Sequence, residues 1–266
     1  MPFSGRAEPL SHEGVASAVA LLGVTAEALW AVVSVETSGC GFLPDRRPRI
    51  LFERHEFRRR TAGRFDTTHP DISGKPGGYG ASGGHQHARL AAAIGCDRRA
   101  ALESTSWGLG QVMGYNASLA GHADAEQLVA RCCASEDAQL LAMARFMRGR
   151  NLHAALARAD WAAFARGYNG PGYAANHYDS KLAASHASLK KTGLPNLDLR
   201  AAQLMLTYEG LEPGPVDGRA GARTRAAITR FRLGAGLRLG DGHDAELLSA
   251  LRAKLPAAAP AAVRPA

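Results

Sequence analysis

The chain reads as a mainly α-helical protein in which a small helical unit follows a larger one. Three observations predict this. Apolar residues recur at helical spacing through much of the chain, and Ser, Thr and Asp stand at repeated capping positions. The pattern then breaks near Lys190-Lys191-Thr192-Gly193-Leu194-Pro195 and resumes beyond it. The 266 residues are 46% apolar and 21% charged, ordinary for a globular protein with a core, and long enough for one large or two unequal domains.

Thr25 caps a helix running to about Thr37. Asp124, with Gln127 three residues on, opens another in a capping-box pattern. In SEDAQLLAMARFMRGR, Ser135 is the cap, Glu136 and Asp137 occupy the first turn, and Arg145 and Arg148 lie near the end. This charge order complements the helix dipole, and Gly149 stops the helix. Asp160 starts a short helix through Trp161 and Phe164. A longer one follows Gly170-Pro171-Gly172, with Tyr178, Leu182 and Leu189 on one face. Between Arg46 and Leu90 the pattern is poorer: Ile50-Leu51-Phe52 reads as a short strand and residues 74–84 as a glycine-rich loop without phosphate-loop spacing. Past the break, a unit of about 60 residues holds a helix from Asp198 to Glu209, a turn at Pro215-Val216-Asp217-Gly218, a helix through Phe231, and a last helix near Glu246–Leu255. The final stretch, AAAPAAVRPA over 257–266, is low in complexity and expected to be disordered.

The net charge of +8 is spread along the chain, which suits anionic polymers in general, bacterial envelope among them. No nucleic-acid module or aromatic-interleaved basic stripe is present, so no nucleic-acid partner is expected. No run of about 18 apolar residues predicts a membrane span, and no basic-then-apolar N-terminal segment predicts a secretory signal. Four irregularly spaced cysteines argue for buried thiols over a disulfide scaffold or a zinc site. His69, His85 and His87 share one loop region but lack the HExxH spacing of a zinc peptidase. No metal and no cofactor are expected.

One residue stands out. On a helix over 26–36, Leu29, Val32, Val33 and Glu36 fall at i, i+3, i+4 and i+7, opposite the polar positions Glu27 and Ser34. Glu36 therefore emerges from the apolar side, at a helix C-terminus. Burial and the negative end of the dipole both disfavour its charged form, the dipole by up to about 1 kcal/mol. The expected product is a carboxylic acid still protonated near neutral pH, the species that protonates the leaving oxygen of a glycosidic bond. The competing reading is an ion pair with Arg54 or Arg58.

Three segments set Glu36 in context: Val35-Glu36-Thr37-Ser38-Gly39, Ser106-Trp107-Gly108-Leu109-Gly110-Gln111-Val112-Met113-Gly114, and Gly167-Tyr168-Asn169-Gly170-Pro171-Gly172. In this order they resemble the lysozyme-like superfamily of goose-type lysozymes and soluble lytic transglycosylases. Residues 10–190, through Ile50–Phe57 (ILFERHEF), Arg64–Ser73 (RFDTTHPDIS), SWGLGQVMGYN and RGYNGPGY, are similar to the N-acetylmuramidase family of phage endolysins. The resemblance implies a lysozyme-like catalytic domain over 1–192 with Glu36 as its acid. Glu53 is the first candidate for a second carboxylate, ahead of Asp66 and Asp71. Gln111 and Asn169 can hydrogen-bond sugar hydroxyls and N-acetyl groups, while Trp107 and Tyr168 offer flat faces to sugar rings. Gly108 and Gly110 would let backbone approach a ligand, and Tyr79 in the glycine-rich loop would close over it.

Residues 197–256 resemble a three-helix peptidoglycan-binding domain, carried by Ala202-Gln203-Leu204, Gly210, Val216-Asp217-Gly218, Thr224 and Ala227 to Phe231. The resemblance makes Gln203, Asp217, Gly218 and Phe231 candidate wall contacts. It departs from the usual pattern at Phe231-Arg232 and at Gly218-Arg219-Ala220-Gly221. The expectation is a monomeric endolysin, made in the host cytoplasm, that reaches the wall after membrane permeabilisation without inserting stably. It would cut the β-1,4 bond between N-acetylmuramic acid and N-acetylglucosamine, with the C-terminal unit raising residence on the wall. The alternatives are a lytic transglycosylase forming 1,6-anhydro products and a non-catalytic wall-binding protein.

Overall fold

The computed structural model describes residues 2–37 and 39–257. Ser38 and nearly all of the expected disordered tail lie outside the described residues. The architecture is mainly helical. Helices α1 (His12–Leu22) and α2 (Ala26–Thr37) precede a short strand β1 (Ile50–Phe52), then α3 (Arg54–Arg60), α4 (Gly84–Cys96) and α5 (Arg98–Glu103). Strands β2 (Thr105–Trp107) and β3 (Val112–Met113) follow, then α6 (Ala125–Ala134), α7 (Glu136–Gly149), α8 (His153–Ala157), α9 (Trp161–Asn169) and α10 (Tyr178–Thr192). The last three helices are α11 (Leu197–Tyr208), α12 (Ala222–Ala235) and α13 (Ala245–Ala253).

The caps form as local chemistry dictates. Thr25 Oγ1 accepts from Ala28 N, Asp124 from Gln127 N, Ser135 from Ala138 N and Asp160 from Ala163 N. Five helices, α1, α3, α4, α5 and α8, go beyond the sequence expectations. Among them, α4 starts where the glycine-rich loop ends and α3 occupies the ILFERHEF segment. The three strands form one antiparallel sheet in the order β1-β2-β3, with Ile50 opposite Trp107 and Ser106 opposite Met113.

Helix α2 differs from the amphipathic helix the spacing predicts. Ala28 through Val33 are all buried, because α10 packs along it and α1 also contacts it. It is a core helix, apolar nearly all round. Glu36 owes its partial burial to its place at the end of this helix more than to a stripe. No single helix among the described residues is long and apolar enough to cross a membrane.

The chain holds two main cores. One unites α1 to α10 with the sheet, and the other joins α11, α12 and α13 around Met205, Ile228, Phe231 and Leu251. A small third cluster of Ala7, Cys40, Phe42 and Leu204 bridges them. At this seam Arg200 on α11 and Glu136 at the start of α7 form a fully buried ion pair, Nη1 to Oε2 at 2.6 Å. The same carboxylate accepts from Leu10 N and Gly41 N, while Arg200 donates through Nε and Nη2 to the carbonyl of Gly39. The carboxylate that looked like a dipole ornament on α7 is thus the hub joining α1, α11 and the chain just past α2.

Candidate active site

Three sequence motifs meet through hydrogen bonds at the end of α2. Thr37 Oγ1 donates to the carbonyl of Leu109 at 3.1 Å. The Tyr168 hydroxyl donates to the carbonyl of Gly110 at 2.6 Å, and Asn169 Nδ2 donates to Glu36 Oε1 at 3.3 Å. The end of α2, the β2–β3 loop and the end of α9 therefore close on one another around the glutamate. The loop is braced from below by α7: Gln139 Oε1 accepts from Leu109 N, and Gln139 Nε2 donates to the carbonyl of Cys132.

Burial is the largest influence on Glu36 and pushes its pKa up from 4.5 to about 7, while the Asn169 hydrogen bond acts the other way. Neither arginine of the competing reading holds it. Arg54 donates to the carbonyls of Lys75 and Pro70, and Arg58 pairs with Asp66 at 2.6 Å. Asn169 suits a carboxyl that changes state. Its Nδ2 donates to the carboxylate, and its buried Oδ1, without a partner among the described residues, is an acceptor that a turned-over amide could offer to the acid. Burial, with the charge of Glu36 second, raises the pKa of both Tyr168 and Tyr178. Tyr178 is a neighbour of Glu36 that the sequence reading had placed only on a helix face.

Glu36 lines a cavity of about 310 Å³ with Arg49, Leu51, Ser82 and Gln111. Gln111 also lines a second cavity, of about 420 Å³, together with Tyr115, Asn116, Tyr168 and Asn169. Gln111 and the amide bonded to Glu36 thus connect the two halves of one cleft. Gln111 itself is held at positive φ. Its Oε1 accepts from Ser106 Oγ, and its Nε2 donates to the carbonyls of Gly108 and Arg49.

Several expected contacts are corrected by their surroundings. Trp107 is only 1% exposed and its indole N–H donates to Leu102 O, so it packs the sheet and does not meet a sugar. Gly108 and Gly110 make room for side chains of α7, not for ligand. A Cβ on Gly108 would lie 2.5 Å from Gln139 and one on Gly110 2.5 Å from Met143. Glu53 is part-buried at the start of α3, with Oε2 3.1 Å from His55 Nδ1 and the phenol of Tyr79 beside it. Burial raises its pKa and the charge of His55 opposes. Asp66 is committed to Arg58 and Ser73 Oγ. Tyr79, 39% exposed, sits with Glu53.

In the C-terminal unit Gln203 is fully buried. It donates to Asp217 Oδ1, Arg219 O and Thr224 Oγ1, and accepts from Asp217 N and Gly218 N. Gly218 is buried against Asn196, and Phe231 lies in the core. These three residues hold the turn and the helices together and are not free for a wall ligand; Asp217 alone of the four is part-exposed. Among the described residues no three His, Cys, Asp or Glu side chains converge as metal ligands would, and His87 is bonded to the carbonyl of Pro48.

A helical fold with a short sheet, and a glutamic acid whose pKa burial raises to about 7 in a cleft walled by amide and tyrosine side chains, fit a lysozyme-type glycoside hydrolase. The N-acetylmuramidase family profile matches residues 25–190, more than half of the chain, and the chain belongs to that family. Among solved structures it is similar to a Burkholderia AP3 phage endolysin, at 38% identity and a TM-score of 0.63, over 70% of this chain and 73% of that one. No curated protein matches it. The chain is accordingly a peptidoglycan hydrolase of the muramidase type, and its site of action is the bacterial cell wall.

Proposed function

We propose that the chain is an endolysin in which Glu36 is the proton donor for cleavage of the β-1,4 bond on the muramic-acid side. The reading rests on one observation: a carboxyl with its pKa pushed up to about 7, lining one of two cavities that share Gln111, and bonded to Asn169 of the other. Glu36 gives its proton to the leaving oxygen as the bond to C1 breaks. Water then delivers hydroxide to C1, and its remaining proton returns to the carboxylate. Gln111, Tyr168 and Asn169 fix the wall of the cleft. Water-excluding burial around them keeps the acid loaded.

The C-terminal helices are proposed to increase residence on the wall, with Asp217 the one part-exposed candidate contact. The chain is proposed to act as a monomer, without nucleic acid and without stable membrane insertion. It would be made in the cytoplasm and reach the periplasm once the membrane is permeabilised. Turbidity clearing of outer-membrane-permeabilised cells tests the central claim: Glu36→Gln is expected to abolish clearing, and clearing that survives it refutes the role. Mass spectrometry of the released fragments is expected to show reducing muramic-acid ends; 1,6-anhydro ends would assign transglycosylase chemistry instead.

A further inference from the structure

The half of the cleft beyond Asn169 carries a feature that glycan cleavage alone does not require. Two guanidinium groups line the 420 Å³ cavity: Arg150, which ends α7, and Arg166, in the last turn of α9. Among the described residues no acidic side chain lines that cavity. Neither arginine forms an ion pair among the described residues, whereas Arg58, Arg59, Arg60, Arg98 and Arg99 each do. Arg166 keeps only a ring contact, its guanidinium 5.9 Å from the centroid of Tyr173. Arg150 acts electrostatically on Tyr115, whose ring is 44% exposed on the same cavity.

Two unpaired guanidiniums facing one cavity form a receptor for a carboxylate. The planar fork binds both oxygens at once and keeps its charge at any pH of interest. A neutral backbone of N-acetylated sugars offers no such group, but the stem peptide hung from the lactyl ether of muramic acid does. We infer that the Arg150–Arg166 cavity binds a carboxylate of the stem peptide on a muramic-acid residue beside the scissile bond, making the enzyme selective for stem-bearing glycan. This rests on the cleavage reading above. It adds to that reading a specificity site in the same cleft, since Gln111 lines both halves and Asn169, which lines the second, is bonded to Glu36 in the first.

The test uses the full chain and two soluble glycan preparations, one with its stem peptides and one stripped of them by an amidase and then capped as methylamides at the lactyl carboxylates that the stripping exposes. Wild type is expected to cut the stem-bearing chains with the higher kcat/KM, and added salt is expected to narrow the difference. In Arg150→Gln/Arg166→Gln the ratio between the two substrates is expected to fall about tenfold. The Arg150→Lys/Arg166→Lys variant, which keeps charge but not the fork, is expected to recover part of it. Free stem peptide, titrated into Glu36→Gln by calorimetry, is expected to bind and to lose that binding in the arginine double variant. An unchanged ratio, or an equal loss on both substrates with peptide binding intact, overturns the assignment. If wild type cuts neither preparation, or Glu36→Gln still cuts both, the cleavage reading fails first.

Discussion

Arg200 and Glu136, 64 residues apart, form an ion pair with no exposed side-chain surface, and through it α11 grips the segment that follows the candidate acid. Glu136 takes the amide of Gly41 and Arg200 takes the carbonyl of Gly39, so both sides of the chain just past Glu36 are held. Removing one partner of a buried pair leaves the other charge uncompensated, at a cost of about 3–5 kcal/mol. Arg200→Met is expected to lower the melting temperature markedly and to reduce cleavage of short glycan fragments. Glu136→Gln/Arg200→Met is expected to regain much of the lost stability. Thermal melts and fragment assays on the three chains check this.

The same contact bears on the tether idea. A C-terminal unit that only raised residence on the wall could be deleted from about residue 197 without harm to small substrates. Such a deletion also removes Arg200 and the apolar contacts of Leu204 with Cys40 and Phe42. It is expected to lower activity on fragments as well as on whole sacculi, as assays of both substrates would reveal.

Glu36 ties activity and stability to pH. The acid is loaded below about pH 7, so kcat/KM should fall as pH rises through that value. Stability follows the same sign. A carboxyl with a folded pKa above its unfolded value of 4.5 favours folding fully below about pH 4.5, and that advantage is lost as pH climbs to about 7. The loss is on the order of 3 kcal/mol, at about 1.4 kcal/mol per pH unit. Glu36→Gln removes the titration. It is expected to be more stable than wild type at pH 8 and to lose that margin at pH 4.5, as denaturant melts at the two values would show.

Asn169 tunes that acid. Its amide donor favours the charged carboxylate, so Asn169→Ala is expected to move the alkaline limb of the pH–rate profile upward while lowering the rate at its plateau. A limb that stays put would show that the amide does not act on the reacting state.

The β2–β3 loop depends on α7 for its shape. Gly108 has φ of +67°, and a Cβ there would strike the Gln139 side chain that caps Leu109 N. Gly108→Ala combines left-handed strain with a steric clash and is expected to cost about 2 kcal/mol or more. Gln111 and the carbonyls of Leu109 and Gly110 would shift with it, and a drop in both melting temperature and rate is the expected result.

Much of this was legible along the chain. The caps at Thr25, Asp124, Ser135 and Asp160, the strand at Ile50–Phe52, the break after Thr192 and the helix-end position of Glu36 all rest on chemistry within a few residues. The failures share a cause. Trp107 and Gly108 lie in a motif rich in ligand-type residues, yet they face α7 and the sheet, and only packing tells a sugar platform from a core ring. Glu136 looked like a dipole partner because its arginine is far away in the chain.

Hydrogen bonds at helix ends and apolar spacing are local, so the linear order of residues was sufficient to lay out most of the helices and to put a carboxyl at the end of α2. Whether that carboxyl keeps its proton was a question for the folded chain alone. Burial is set by what packs around it, and its partner Asn169 arrives from 133 residues away. The same holds for the unpaired arginines of the cleft and for the buried pair at the seam, whose charges acquire meaning only from which opposite charges the fold brings near.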